Sequence, residues 1–143
     1  MDIFEHIMKE HREVEGMLQQ LSGGGSGKQE TFNKMKLALT AHIKAEEGSI
    51  YPAMHDSDGA FIDQATEEHA QVMKLLNSMD SKGVGDDSFA DNIASLTSMI
   101  QSHVMKEEEQ MIPKARDMYD QDQVKKLSQK FDQIDESIMQ KAR

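Results

Sequence analysis

Four histidines and two glutamates sit where a helical chain of 143 residues should place only apolar side chains. The apolar stripe of the first helical segment reads Ile3, Ile7, His11, Val14, Leu18, Leu21, and that of the third reads Phe61, Ala65, His69, Val72, Leu76, Met79. The second gives Phe32, Met35, Leu39, His42, Glu46, Ile50, and the fourth gives Ile93, Leu96, Ile100, His103, Glu107, Met111. Steps of three and four are the spacing of one buried helix face. A buried carboxylate without a partner costs several kcal/mol, a heavy charge on a domain whose net stability is about 5–15 kcal/mol. No lysine or arginine shares these stripes, so the two glutamates demand a cation from elsewhere. A lone histidine on an apolar face is usually a hydrogen-bonded core residue. Four of them, one per helix and repeated with two glutamates, point to metal binding.

Glycine and proline punctuation predicts an all-α chain of five helices. The first runs from Ile3 to Leu21, with Asp2 and Glu5 as a capping box, and stops at the glycine-rich linker beginning Ser22-Gly23-Gly24-Gly25. Ser26 and Gln29 are read as the next capping pair, opening a helix that ends near Tyr51-Pro52. The third spans Gly59 to Ser81. Ser88 and Asp91 open the fourth, which reaches Ile112-Pro113 or a turn beyond. Asp120 and Gln123 open the fifth, with Val124, Leu127, Phe131, Ile134 and Ile138 on one stripe. Short connections imply antiparallel neighbours, hence an up-down-up-down four-helix bundle over residues 1–118. Residues 119–143 form a C-terminal helix that packs on the bundle or makes a homodimer contact.

The chain also repeats itself. Residues 10–18, EHREVEGML, align with 68–76, EHAQVMKLL, at an offset of 58, and 42–52, HIKAEEGSIYP, with 103–113, HVMKEEEQMIP, at an offset of 61. Each half is a helical hairpin with histidine on its first helix and His-x-x-x-Glu on its second. His11 lies about ten residues before the end of its helix and His42 about fourteen after the start of the next. At a rise of ~1.5 Å per residue, the antiparallel pair brings them to similar depth. Histidine and glutamate four apart share one face, so both reach a single ion, and the glutamate is free to bridge to a second.

Histidine with carboxylate suits iron, manganese or zinc rather than calcium or magnesium. The order His11, His42-x-x-x-Glu46, His69, His103-x-x-x-Glu107 resembles the hemerythrin-like, or HHE cation-binding, family, with matching Glu46-Glu47 and Glu107-Glu108 doublets and following prolines. The resemblance covers residues 1–115. It implies two iron ions, one held by His11 and His42, the other by His69 and His103, bridged by Glu46, Glu107 and an oxo or hydroxo group (Fe–O–Fe or hydroxo-bridged). It also implies binding or sensing of O2 or NO, with iron storage, iron–sulfur repair and peroxide detoxification as alternatives. The oxygen carriers of that family carry a fifth histidine, four residues after the third-helix one, where this chain has Met73. Their fourth-helix motif is His-x-x-x-x-Asp, so oxygen carriage is not expected here. Glu15, the repeat mate of Met73, is a further candidate ligand, against the plainer reading of a surface glutamate.

Other polar residues read more plainly. His6, roughly 140° round the helix from His11, is expected to be exposed, and His55 to be a solvated loop residue. Glu47 and Glu108 fall off the inward face, in solvated or supporting roles, and their replacement by alanine is expected to be silent. Tyr51 is read as packing near a helix end. No catalytic serine, histidine and acid set stands out, so the chain is read as a ligand-binding metalloprotein, with peroxide turnover left open. A metal-free helical interaction domain is the alternative of a different class. The net charge of −10 argues against nucleic acid and membrane partners. The absence of cysteine removes disulfides, thiolate zinc and Fe–S clusters. An acidic N-terminus with no signal peptide leads to the expectation of a cytoplasmic protein.

Overall fold

In the computed structural model, residues 1–141 are described and all regular structure among them is helical. Helix α1 spans Ile3–Ser22, α2 Lys28–Glu47, α3 Ile50–Lys82, α4 Phe89–Lys106, α5 Ile112–Met118 and α6 Gln121–Lys141. A π-helical turn, Glu107–Met111, joins α4 to α5 without a break. The first four helices form the bundle, and α6 lies along α2 and touches α1. Among the described residues no helix is long and apolar enough to cross a membrane.

Two expected caps form. Asp2 accepts from Glu5 N at 2.8 Å while Glu5 accepts from Asp2 N at 3.2 Å. Asp120 and Gln123 reciprocate in the same way at 2.8 and 2.9 Å. Two others do not. The residue before α2 is Gly27 at φ 80°, a left-handed conformation that glycine adopts without a Cβ penalty, so Ser26 falls one residue too early to cap. At α4, Ser88 makes no cap bond; its amide donates to the Asp86 side chain instead.

The predicted boundaries around the prolines also shift. Residues expected to form a loop from Pro52 to Gly59 are helical, and the irregularity is a kink at Asp58, with φ −147° and ψ 49°. Pro52 sits in the first turn of α3, where a missing N–H costs nothing. Past Glu107, the chain stays helical through Pro113, and the wider π-turn falls just before that ring, which cannot sit against the carbonyl four residues back.

Two apolar clusters fill the interior, separated by a polar layer. One, around Val14, Leu18, Phe32, Leu76 and Leu96, fills the end near the loops Ser22–Gly27 and Gly83–Ser88. The other, around Phe4, Ile7, Met54, Ile112 and Phe131, fills the opposite end. Of the stripe expected on the last helix, Leu127 and Phe131 are buried and Val124, Ile134 and Ile138 are half-buried. Burying each of the first two contributes about 1.5–3 kcal/mol. Gly48 lets α6 come close, because a Cβ there would lie 2.4 Å from Ile134 Cδ1.

Candidate metal centre

The polar layer contains all six stripe residues. His11, His42, His69 and His103 are no more than 8% exposed, and Glu46 and Glu107 are fully buried. They form two groups that share both glutamates: His11, His42, Glu46 and Glu107, and Glu46, His69, His103 and Glu107. Within each group one ligand atom per residue lies within 4.8 Å of the others. His11 Nε2 is 3.1 Å from Glu107 Oε1 and His69 Nε2 is 3.1 Å from Glu46 Oε1. His42 Nε2 and His103 Nε2 face the glutamate one turn along their own helix, at 3.3 and 3.2 Å. The pattern follows the sequence repeat, with α1 matching α3 and α2 matching α4.

Behind each histidine stands a second carboxylate, always from another helix. Glu10 on α1 takes His42 Nδ1 at 2.7 Å, and Glu47 on α2 takes His69 Nδ1 at 2.8 Å. Glu68 on α3 takes His103 Nδ1 at 2.8 Å, and Glu108, in the π-turn after α4, takes His11 Nδ1 at 2.7 Å. The four links run in one direction round the bundle and close into a ring. Two acids carry an outer counterion: Lys106 Nζ donates to Glu68 at 2.6 Å, and Arg12 pairs with Glu108. A carboxylate on Nδ1 fixes the tautomer that turns the Nε2 lone pair inward, the usual support of a metal-bound imidazole.

Tyr51 is the residue whose placement the sequence reading missed. Its hydroxyl lies inside the polar layer, donating to Glu107 Oε2 at 2.5 Å and 3.2 Å from both His69 Nε2 and His103 Nε2. Its ring stacks on His69 with 5.0 Å between centroids and 4° between planes. Burial first, then Glu107 and Glu46, pushes its phenol well above the ordinary value, so it keeps its proton. The repeat mate of Tyr51 is Ile112, so only the His69–His103 side has a phenol.

The electrostatics state what this layer lacks. Both ring nitrogens of each histidine face oxygen acceptors, an arrangement that suits an imidazolium or a metal-bound imidazole. Burial opposes charging His42, yet Glu46 and Glu10 raise it well above 6.5. His69 rises against the same penalty through Glu46 and Glu47, and His103, through Glu107, reaches about 9. Burial would raise Glu107, but His103 and His11 hold it well below 4.5. Protons thus stand in for cations. Glu46 Oε2 and His42 Nε2 are buried without a hydrogen-bond partner among the described residues, as expected of atoms meant for a metal. The donor set fits N/O-liganded transition-metal cations.

The sequence of the chain matches the model of the family described as "Hemerythrin HHE cation binding domain" over residues 2–115. The chain belongs to the hemerythrin HHE cation-binding family. It is therefore a cation-binding domain, and it contains two buried histidine and glutamate groups that could hold metal. Its fold matches a crystal structure of a hemerythrin HHE cation binding domain-containing protein, the Rv2633c homolog from Mycobacterium kansasii, with a TM-score of 0.85 and 20% identity over 99% of this chain and 90% of that one. The shared coverage includes α6, so the additional helix is part of that fold. A protein of Nostoc sp. described as a DNA nickase is 24% identical over 144 residues, and the chain spans 41% of its length.

Other candidate residues fall outside the two groups. Glu15 accepts from Arg12 Nη1 at 2.8 Å and is half-exposed. Met73 packs against the apolar cluster near Thr40. His55 is exposed as expected, bonded to Asp63 at 2.8 Å, but it lies on α3 and not in a loop. His6 is only half-exposed because α6 covers it. Glu47 and Glu108 hold histidine rings, so the expectation that their replacement is silent is withdrawn. Glu47→Ala or Glu108→Ala should weaken metal binding about 10–100-fold, measured by competition with a chelator. Affinities equal to the unaltered domain would show that these acids do not orient the rings.

Proposed function

We propose that this HHE domain holds two iron ions bridged by Glu46 and Glu107, and binds a ligand the size of O2 or NO beside them. The observation that carries the reading is a cavity of about 30 Å³ against His11, His42, His69 and His103. Its far wall is formed by aliphatic side chains including Val14, Val72, Ile100 and Val104. Such a volume admits one molecule of about the size of water. Apart from Glu10, whose oxygens face His42 and His6, the wall offers nothing to hold a polar substrate. A neutral diatomic fits it best.

When bound, the iron pair would supply two adjacent centres able to exchange electrons with such a ligand. The chain does the rest. The four histidines present Nε2 inward, the ring of backing acids keeps their Nδ1 protons in place, and the aliphatic wall excludes bulk water. Tyr51 holds a proton on its oxygen toward Glu107 and makes the two half-sites unequal. That protonated hydroxyl, a hydrogen-bond donor beside the site, favours a second reading, peroxide breakdown. No nucleic-acid activity is carried over from the Nostoc relative, because a net charge of −10 opposes binding to a polyanion.

Anaerobic purification followed by metal analysis should give about two iron ions per chain, and optical spectra should change reversibly with O2 or NO. A reproducible single ion, or zinc in preference to iron after growth in iron, would sink the iron-pair reading. Repeated turnover of added peroxide would select the second reading over the first.

A further inference from the structure

His6, outside the inner layer, has the same bonding pattern as the four inner histidines. Its Nδ1 is bonded to a carboxylate, Asp132 of α6, at 2.8 Å. Its Nε2 faces two more, Glu10 Oε2 at 3.1 Å and Asp135 Oδ2 at 3.5 Å. One ligand atom from each of His6, Glu10 and Asp135 lies within 4.8 Å of the other two.

Two observations separate this cluster from an ordinary acidic patch. Among the described residues Asp135, 6% exposed, faces the imidazole of His6 at 3.5 Å and the carboxylate of Glu10, with no lysine or arginine ion pair. A buried carboxylate held against a second carboxylate and one shared imidazole is short of positive charge. The repeat supplies the second. On the opposite side of the bundle, Glu68 occupies the position of Glu10 and is neutralised by Lys106, while Gln64 stands where His6 would be. Among the described residues no lysine or arginine pairs with Glu10, and α6 adds Asp132 and Asp135 to it. Three carboxylates then surround one imidazole, so even a protonated His6 leaves the group with net negative charge.

We propose that His6, Glu10 and Asp135 form an outer site for one divalent transition-metal cation, with Asp132 fixing the His6 ring. One imidazole nitrogen with carboxylate oxygens, at a part-exposed position, suits Mn(II), Fe(II) or Zn(II). Glu10 bonds His42 through its other oxygen, so the outer ion and the inner layer share one carboxylate as neighbours. The outer ion has fewer protein ligands and exchanges more readily than the inner ones.

Mn(II) titrated into the iron-loaded domain, with the unbound ion read by electron paramagnetic resonance and iron content measured alongside, tests the site. The expected result is about one Mn(II) per chain with iron fully retained. Asp135→Asn, which keeps the shape of the side chain, should weaken that binding at least tenfold, and Asp132→Asn, at a more exposed position, about tenfold. The second variant decides the matter if the first does not fold. Failure of the unaltered domain to take up Mn(II), uptake matched by loss of iron, or unchanged affinity in the folded variants would overturn the outer site. A domain that binds no iron but still takes up one Mn(II), lost with Asp135→Asn, would leave the outer site standing while removing the inner one.

Discussion

Stripping the metal from this domain should lower its melting midpoint by about 12 °C near neutral pH, and the gap should widen as pH rises. A ligand present at about a thousand times its dissociation constant stabilises the folded state by about 4 kcal/mol. For a chain of this size each kcal/mol shifts the midpoint by about 3 °C. The pH dependence follows from the raised histidines. In the stripped chain His103 is pushed up to about 9, His42 and His69 are raised, and His6 reaches about 10 through Asp135 and Glu10. A raised folded value means stability that is complete below the unfolded value near 6.5 and is lost as pH climbs through the folded one. The lowered carboxyls, Glu107 and Glu10, work the other way: their contribution is present above about 4.5 and lost as pH falls. The stripped domain should thus be most stable between about pH 4.5 and 6.5. The loaded domain should change little above that window, because metal-bound imidazoles have no proton left to lose, so the gap widens as the stripped domain weakens. Melts at several pH values, with and without chelator, check this. Equal midpoints, or a gap that narrows from pH 6.5 to 9, would refute it.

Replacing either shared glutamate should empty both half-sites at once. Glu46 and Glu107 each belong to both ligand groups, whereas each histidine belongs to one. Glu46→Ala or Glu107→Ala should therefore weaken binding of both ions by more than about 100-fold, beyond the 10–100-fold typical of residues that merely support a ligand. His11→Ala and His69→Ala should each retain about half the metal, with similar losses, because the two halves repeat. Glu107 also accepts the Tyr51 hydroxyl hydrogen bond, so its loss should be the more damaging of the two. Metal content after gel filtration is the measurement. A Glu46→Ala domain that keeps one tightly held ion would show that the half-sites are independent and that the glutamates do not bridge.

The six inward residues were legible in the sequence because a helix face is set by its own periodicity. His11, His42, Glu46, His69, His103 and Glu107 lie on stripes that no surface helix would carry, and each is buried where its stripe predicts. The backing acids were harder to see, since each serves a histidine on a different helix and its contact depends on packing. Glu10 and Glu68 are two acids among 26. The readable signal was the repeat, which places an acid beside a histidine twice over, at Glu10-His11 and Glu68-His69. Tyr51 was hidden by Pro52, read as a helix stop when it begins one. His6 was read as exposed by considering α1 alone, whereas Phe131 of α6 packs with ring centroids 4.9 Å from it.

The one-way ring of acids and histidines also bears on how the domain is made. As the chain leaves the ribosome, the first hairpin contains a single complete link, Glu10 to His42, while Glu47 waits for His69 and His11 for Glu108. The second hairpin likewise carries one link of its own, Glu68 to His103. Both inner groups require Glu107, which is translated after all their other members. No nascent fragment that ends before Glu107 contains either group complete. The complete inner groups thus become available only once all four bundle helices have been synthesised.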